Sequence, residues 1–273
     1  MACDFEAAFL QRVPPRAFLD NFKCDFEIIY KYKNVVDSNY TASVIRELIK
    51  RDWSYEQNDY AMDLYVYALS HPSHHMSQHF IINNTLLSFK SSNSLVESGT
   101  TAKRIWEASL ALVGHFIDHP DILHEKNVLE LGSGTGFAGI SAFTLGAASV
   151  TLSDLPEVLE QVTKANINYL NSTALILKAL DWTSPCEFVF DLYDTVIGAD
   201  LVYDPEVVNY LVETLNFIHQ QNTRMNFYIM TCVRHEKTFV DFMDKVPFLR
   251  ATVCEPLQKH FFYSGTFYLI HNK

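Results

Sequence analysis

The stretch Asn127-Val-Leu-Glu-Leu-Gly-Ser-Gly-Thr-Gly-Phe-Ala-Gly-Ile-Ser141 constrains the fold more than any other part of the chain. It opens as an apolar run too short for a helix, breaks into alternating glycines, and resumes after Gly136 with small and apolar residues that suit a helix. Strand, glycine loop and helix in that order start an open α/β sheet and hold a nucleotide-like ligand at the first turn. Gly132 and Gly134 let backbone approach a ligand where a Cβ would collide. Glu130 is a carboxylate inside an apolar strand, so it needs a hydrogen-bonding partner: an ammonium or ribose of a ligand, or backbone donors nearby.

Two ligand classes compete for this loop. Gly134-Thr-Gly136-Phe-Ala-Gly139 has the form of a dinucleotide GxGxxG. Yet the glycine that ends the strand is Gly132, and counting from it puts Phe137 where the third glycine belongs. The acidic strand end Leu129-Glu130-Leu131 followed by GxGxG resembles instead the pattern of class I S-adenosylmethionine methyltransferases. A glycine-rich turn without any ligand is the bland alternative.

After the loop, strand-like runs (149–154, 175–180, 194–199, 226–233) alternate with helical patterns (156–169, 205–219, 236–245). Such alternation implies a parallel sheet with helices on both faces. Two last strand-like runs, 251–255 and 266–271, joined through Ser264-Gly265, suit an antiparallel edge. Ahead of the loop, Ala102–His119 has helical spacing and Pro120 ends it. The expected organisation is a helical region over 1–80, with helices at 41–50 and 59–69, a β-hairpin connection over 81–98, and the main domain over 99–273. The hairpin is expected from Thr85–Lys90 and Ser94–Glu97. His71, His75 and His79 recur at a spacing that suits a metal on a helix, but Pro72 disturbs it and no cysteine joins, so a solvated linker without metal is expected.

Composition narrows the function. A net charge of −11 disfavours direct nucleic-acid binding, which needs basic surface. No apolar run approaches the roughly 18 residues of a bilayer span, and the start of the chain has no signal-type core. Five cysteines without CxxC spacing read as reduced thiols, and the expectation is a cytoplasmic monomer.

Ligands in such sheets bind beyond the carboxyl ends of the strands, and chemically capable residues stand there. Asp154 ends the second strand about 20 residues after Gly134, where a carboxylate reaches ribose hydroxyls. Capping the next helix is its other reading. Asp181-Trp182 ends the third strand and offers a carboxylate and an indole to an adenine, unless the indole is core. Ala199, Asp200 and Tyr203 follow the fourth, where a methyl acceptor would meet its donor; Asp204 before Pro205 reads as a helix cap. Trp106 either lids the pocket or belongs to the core.

Taken together, Gly99…Trp106-Glu-Ala, Val128-Leu-Glu-Leu-Gly-Ser-Gly-Thr-Gly, Asp154, Leu180-Asp-Trp and Gly-Ala-Asp-Leu-Val-Tyr resemble the seven-strand protein-lysine methyltransferases with an Asp-x-x-Tyr motif, over residues 99–273. Within that family the Leu-Asp-Trp run, the segment Thr231-Cys-Val-Arg-His-Glu-Lys-Thr238 and the helical N-terminal region look most like the members that act on elongation factor 2. Glu107 departs from the usual aspartate, and His235 stands where the members that act on elongation factor 2 have asparagine. The resemblance implies a Rossmann-like class I α/β sheet with S-adenosylmethionine as cofactor. It also implies cofactor contacts from Trp106, Gly132, Ser133, Gly134, Asp154, Trp182 and Ala199, with Glu130 and Asp181 beside them, and an acceptor site at Asp200 and Tyr203. Three alternatives stay open: another protein acceptor (a different lysine or a histidine), a noncatalytic S-adenosylmethionine-binding partner protein, and a nicotinamide-dependent reductase.

Overall fold

A computed structural model describes residues 5–13, 15, 19, 25–33, 35–50, 55–71, 77–91, 101–167, 170, 172–254, 260–261 and 265–273, with backbone alone at 55–58 and 187. The chain divides into two units, residues 1–92 with 259–262 and residues 93–258 with 263–273.

The first unit contains α1 (Phe5–Leu10), α2 (Phe26–Tyr32), α3 (Ser38–Ile49) and α4 (Tyr55–Ser70), followed by β1 (Ser77–Ile82) and β2 (Thr85–Lys90). Phe9, Ile29, Val44 and Ile45 are its fully buried centre. α3 begins before the apolar spacing does, because Asp37 caps it and accepts the Tyr40 N–H at 2.9 Å. A hairpin is present that the sequence reading did not pair. β2 pairs with the run before it, Ile82 opposite Thr85, through Asn83 and Asn84 at φ 48° and 60°. Two positive-φ residues make the tight turn whose twist matches paired strands, and asparagine tolerates that conformation. Ser94–Glu97 lies outside the described residues.

The second unit is a seven-stranded sheet in the order β5-β4-β3-β6-β7-β9-β8. The strands are β3 (Asn127–Leu131), β4 (Ser149–Asp154), β5 (Leu175–Ala179), β6 (Thr195–Ala199), β7 (Asn226–Cys232), β8 (Leu249–Cys254) and β9 (Phe267–Asn272). β3 through β7 are parallel, and β9 inserts antiparallel between β7 and β8. This is the strand order of the Rossmann-like class I methyltransferase sheet. The chain winds from β3 outward to β5, returns to β6, and so leaves a crevice beyond the carboxyl ends of β3 and β6.

Helices cover both faces. α5 (Glu107–Asp118) and α6 (Phe137–Thr144) pack on one face. α9 (Pro205–Gln221) and α10 (Glu236–Lys245) take the other, where Leu211, Leu215, Ile218 and Phe242 meet Leu129, Val196 and Phe227. Between β4 and β5 the expected helix is broken into α7 (Pro156–Val158), a π-helical stretch (Leu159–Thr163) and α8 (Lys164–Ile167). α9 starts as read, with the Asp204 side chain accepting from the Glu206 N–H and Pro205 in its first turn.

Candidate active site

The glycine loop is held from three sides. Gly132, Gly134 and Gly136 all have positive φ (61°, 49° and 78°), which lets the backbone curl between β3 and α6. Asp154 accepts the Gly134 N–H at 2.9 Å through one oxygen and the Leu155 N–H at 2.8 Å through the other. Thr163 donates to the Gly134 carbonyl at 2.7 Å, and Asn166 donates to that of Thr135 at 2.9 Å. The π-helical stretch carries Thr163 and α8, directly after it, carries Asn166. Neither has a sequence signature; such a role is visible only in three dimensions.

Glu130 resolves its cost locally. Its Oε2 accepts the Gly139 N–H at 3.0 Å, so a backbone donor of the next helix supplies the partner. Burial pushes its carboxyl up to about 8, with the neighbouring Asp154 adding to the rise and the Gly139 bond opposing it. At neutral pH Glu130 is therefore mostly a neutral acid. Burial also raises the Asp154 carboxyl, against the two N–H groups that hold it.

Asp200 follows β6 directly, in the left-handed region at φ 56°, a conformation that aspartate tolerates better than most residues. Its N–H donates to the Met230 carbonyl at 2.8 Å. Its carboxylate is buried; Oδ2 accepts from the Arg234 guanidinium, and Oδ1 has no hydrogen-bond partner among the described residues. Tyr203, three residues on, is 38% exposed. Across the crevice, a Cβ placed on Gly132 would stand 3.5 Å from Cζ2 of Trp182, so that indole lies against the loop. Asp181 accepts from the Thr183 N–H and hydroxyl. Trp106 caps α5 instead of lying within it, and its indole N–H donates to the Thr101 carbonyl at 3.2 Å. The guanidinium carbons of Arg104 and Arg234 lie 4.9 and 5.0 Å from its ring centroid.

These residues meet around one cavity of about 400 Å³. Trp106, Glu130, Gly132, Ser133, Gly134 and Asp154 line it, together with Asp181, Trp182, Ala199, Asp200 and Tyr203. Its size lies within the roughly 300–1,000 Å³ of cofactor sites. Thr101, Ala102, Arg104 and Tyr210 also line it without having been singled out in the sequence. Arg234 was legible only as part of a resemblance, because what matters is its reach from the end of β7 to Asp200.

A lysine methyltransferase profile matches residues 85–246, more than half of the chain and the whole of the glycine loop, Asp154, Asp181-Trp182 and Asp200-x-x-Tyr203. The chain belongs to the lysine methyltransferase family. The chain is 34% identical over 148 residues to EEF1A lysine methyltransferase 3 of Xenopus tropicalis, covering 53% of this chain and 64% of that protein. It is 31% identical over 142 residues to protein N-lysine methyltransferase METTL21A of the same organism, covering 51% and 64%. It is 31% identical over 170 residues to protein-lysine N-methyltransferase EFM3 of Chaetomium thermophilum, covering 56% and 49%. The matches thus span less than two thirds of each relative's own length.

The cavity fits S-adenosylmethionine, the cofactor of such enzymes. Gly132 and Gly134 let the loop lie close against other walls of the cavity: a Cβ on Gly132 would meet Leu201 at 2.8 Å and one on Gly134 the Ala102 carbonyl at 3.1 Å. The buried Ser133 hydroxyl and Asp200 Oδ1 lack partners among the described residues and are available to a bound polar group. Asp154 and Asp181 bring carboxylates for hydroxyls, and Trp182 an aromatic face for a base. Among the described residues no group of three His, Cys, Asp or Glu side chains is placed to hold a metal; His75 lies outside them.

Proposed function

We propose that the chain is an S-adenosylmethionine-dependent protein-lysine N-methyltransferase. The observation that carries this reading is Asp200: a buried carboxylate at the end of β6, with one oxygen unpartnered among the described residues, on the same cavity as the glycine loop. The donor supplies a sulfonium-borne methyl; as the amine nitrogen bonds to that carbon, the carbon–sulfur bond breaks and its electron pair stays on sulfur. The protein's part is alignment, because the displacement needs nitrogen, carbon and sulfur in line at near-attack distance. Ser133, Gly134, Asp154, Asp181 and Trp182 hold the donor, and Glu130 supports the loop as a neutral acid. Asp200 draws in the lysine and orients its nitrogen. Tyr203 walls the entrance, where its ring favours a cationic methylated amine and its hydroxyl passes the released proton to water.

The amine must react neutral, yet a free lysine has a pKa of about 10.4, so only about one in a few thousand is ready at pH 7. An aspartate alone beside it would worsen this by favouring the ammonium. Asp200 is therefore a capturing and orienting group, not the base.

For the acceptor we propose elongation factor 2, supported by the Leu180-Asp-Trp182 and Thr231–Thr238 runs. Elongation factor 1A is the second reading, favoured by the name of the EEF1A lysine methyltransferase 3 relative. The test is methyl transfer from labelled S-adenosylmethionine to each purified factor, read by mass spectrometry beside Asp200→Ala. A gain on one lysine of elongation factor 2, lost in the variant, is expected. Gain on elongation factor 1A alone replaces the substrate; gain on neither, with tight donor binding, removes both.

A further inference from the structure

We infer that Arg234 is a positioning residue that offsets the charge of Asp200 and so lets the acceptor lysine reside in the site as a neutral amine. The inference rests on the lysine methyltransferase reading above. Asp200 lies in the wall of the cavity and Arg234 does not. Arg234 reaches Oδ2 from the end of β7, leaving Oδ1 with no partner among the described residues. One oxygen is thus committed to a fixed cation outside the cavity, while the other is left for an incoming nitrogen. The guanidinium is itself held, its carbon 5.0 Å from the centroid of Trp106.

The other charges around Asp200 do not supply this balance. From α5, Glu107 faces the pair, and Arg104 just ahead of it lies 3.7 Å from the Glu107 carboxylate. From β7, the Cys232 thiol is pushed up by burial and then by Asp200, so it stays neutral. Tyr203 and Tyr210 line the cavity without a carboxylate or a cationic group, Glu130 is mostly neutral, Asp154 ends β4, and Asp181 follows β5. Arg104 and Glu107 offset one another, as do Arg234 and Asp200. Removing Arg234 leaves one uncompensated carboxylate where the lysine ammonium would sit.

Opposite charge at this range moves a pKa by about one to three units. In Arg234→Gln the bound lysine should hold its proton more tightly. The pH profile of kcat, which reports groups in the enzyme–substrate complex, should move alkaline by about one unit or more. That corresponds to about a tenfold loss near pH 7 that closes as pH rises. KM for the protein substrate should stay level or fall, because ammonium capture strengthens. Arg234→Lys keeps the charge and should keep the profile.

A second readout needs no turnover. Calorimetry of elongation factor 2 binding to the enzyme–S-adenosylhomocysteine complex, in buffers of different ionisation enthalpy, counts protons released. Wild type and Arg234→Lys should release more than Arg234→Gln. A uniform loss of kcat at every pH with equal proton release would mean Arg234 only holds Asp200 in place, and would overturn the inference. If Arg234→Gln does not fold, a displaced profile in Arg234→Lys, or a wild-type enzyme that releases no proton on binding the substrate, has the same force. A wild-type enzyme that methylates neither elongation factor at any pH defeats the functional reading instead, and this inference with it.

Discussion

Glu130 and Gly139 are fitted to one another: the Glu130 carboxylate accepts the Gly139 N–H at 3.0 Å, and a Cβ on Gly139 would collide with that same oxygen. The strand before the glycine loop and the helix after it are joined by this bond at the base of the cavity. A Gly139 Cβ would also meet Leu152 and, at 3.2 Å, Val150, both fully buried. Gly139→Ala should therefore cost about 1–3 kcal/mol despite its better helix propensity, because the core must shift. Thermal unfolding checks this; a melting temperature at or above wild type would show that the helix gives way freely.

The same carboxyl predicts a pH dependence. Its native pKa of about 8 lies above the ordinary 4.5, so the native state holds a proton that the unfolded state has released between those values. Stability from this group is full below the unfolded value and is lost as pH rises toward the folded one. Glu130→Gln, which keeps an acceptor for Gly139 and has no proton to lose, should match wild type near the acid end. Toward pH 8 it should gain relative stability, by at most about 1.4 kcal/mol per pH unit. Denaturant titrations of ligand-free protein at several pH values measure it, and a constant gap would mean Glu130 is ionised in the native state.

How much of this was legible beforehand divides along physical lines. The run 127–141 announced strand, loop and helix because apolar periodicity and glycine placement are local properties. Asp204 before Pro205 announced a cap for the same reason, and the structure makes it one. Asp154 and Asp200 were noticed because a carboxylate after an apolar strand is conspicuous. The pairing of 77–82 with 85–90 was not read, because Asn83-Asn84, only two residues, set its register and a longer Ser/Asn-rich stretch is the more conspicuous turn. Thr163, Asn166 and Arg234 could not be chosen in advance. Each acts on a residue distant in sequence, and their neighbours along the chain give no hint of the partner.

Thr163 therefore offers a test of how the loop is held. Its hydroxyl is buried and donates to the Gly134 carbonyl at 2.7 Å. Thr163→Val keeps the shape and removes the donor, which should cost about 1–3 kcal/mol of stability for the acceptor left short. Because the same carbonyl belongs to the cofactor loop, S-adenosylhomocysteine affinity should fall roughly five- to tenfold, equivalent to about 1–1.4 kcal/mol. Calorimetric titration decides; lost stability with unchanged affinity would separate the loop from the ligand.

Trp182 separates binding from chemistry. Its indole lies against Gly132 on the wall of the cavity that Asp200 and Tyr203 also line. If it stacks on the donor's base, Trp182→Ala should weaken donor binding about tenfold or more, through lost contact area and an aromatic pairing worth about 0.5–1.5 kcal/mol. At saturating donor, kcat should stay within about threefold of wild type, the sign of binding lost equally from ground and transition states. Trp182→Phe should restore most of the affinity, since the ring face returns without the indole N–H. Steady-state kinetics with the donor varied distinguishes the cases. A fall in kcat with donor affinity intact would move Trp182 from the base to the acceptor side of the cavity.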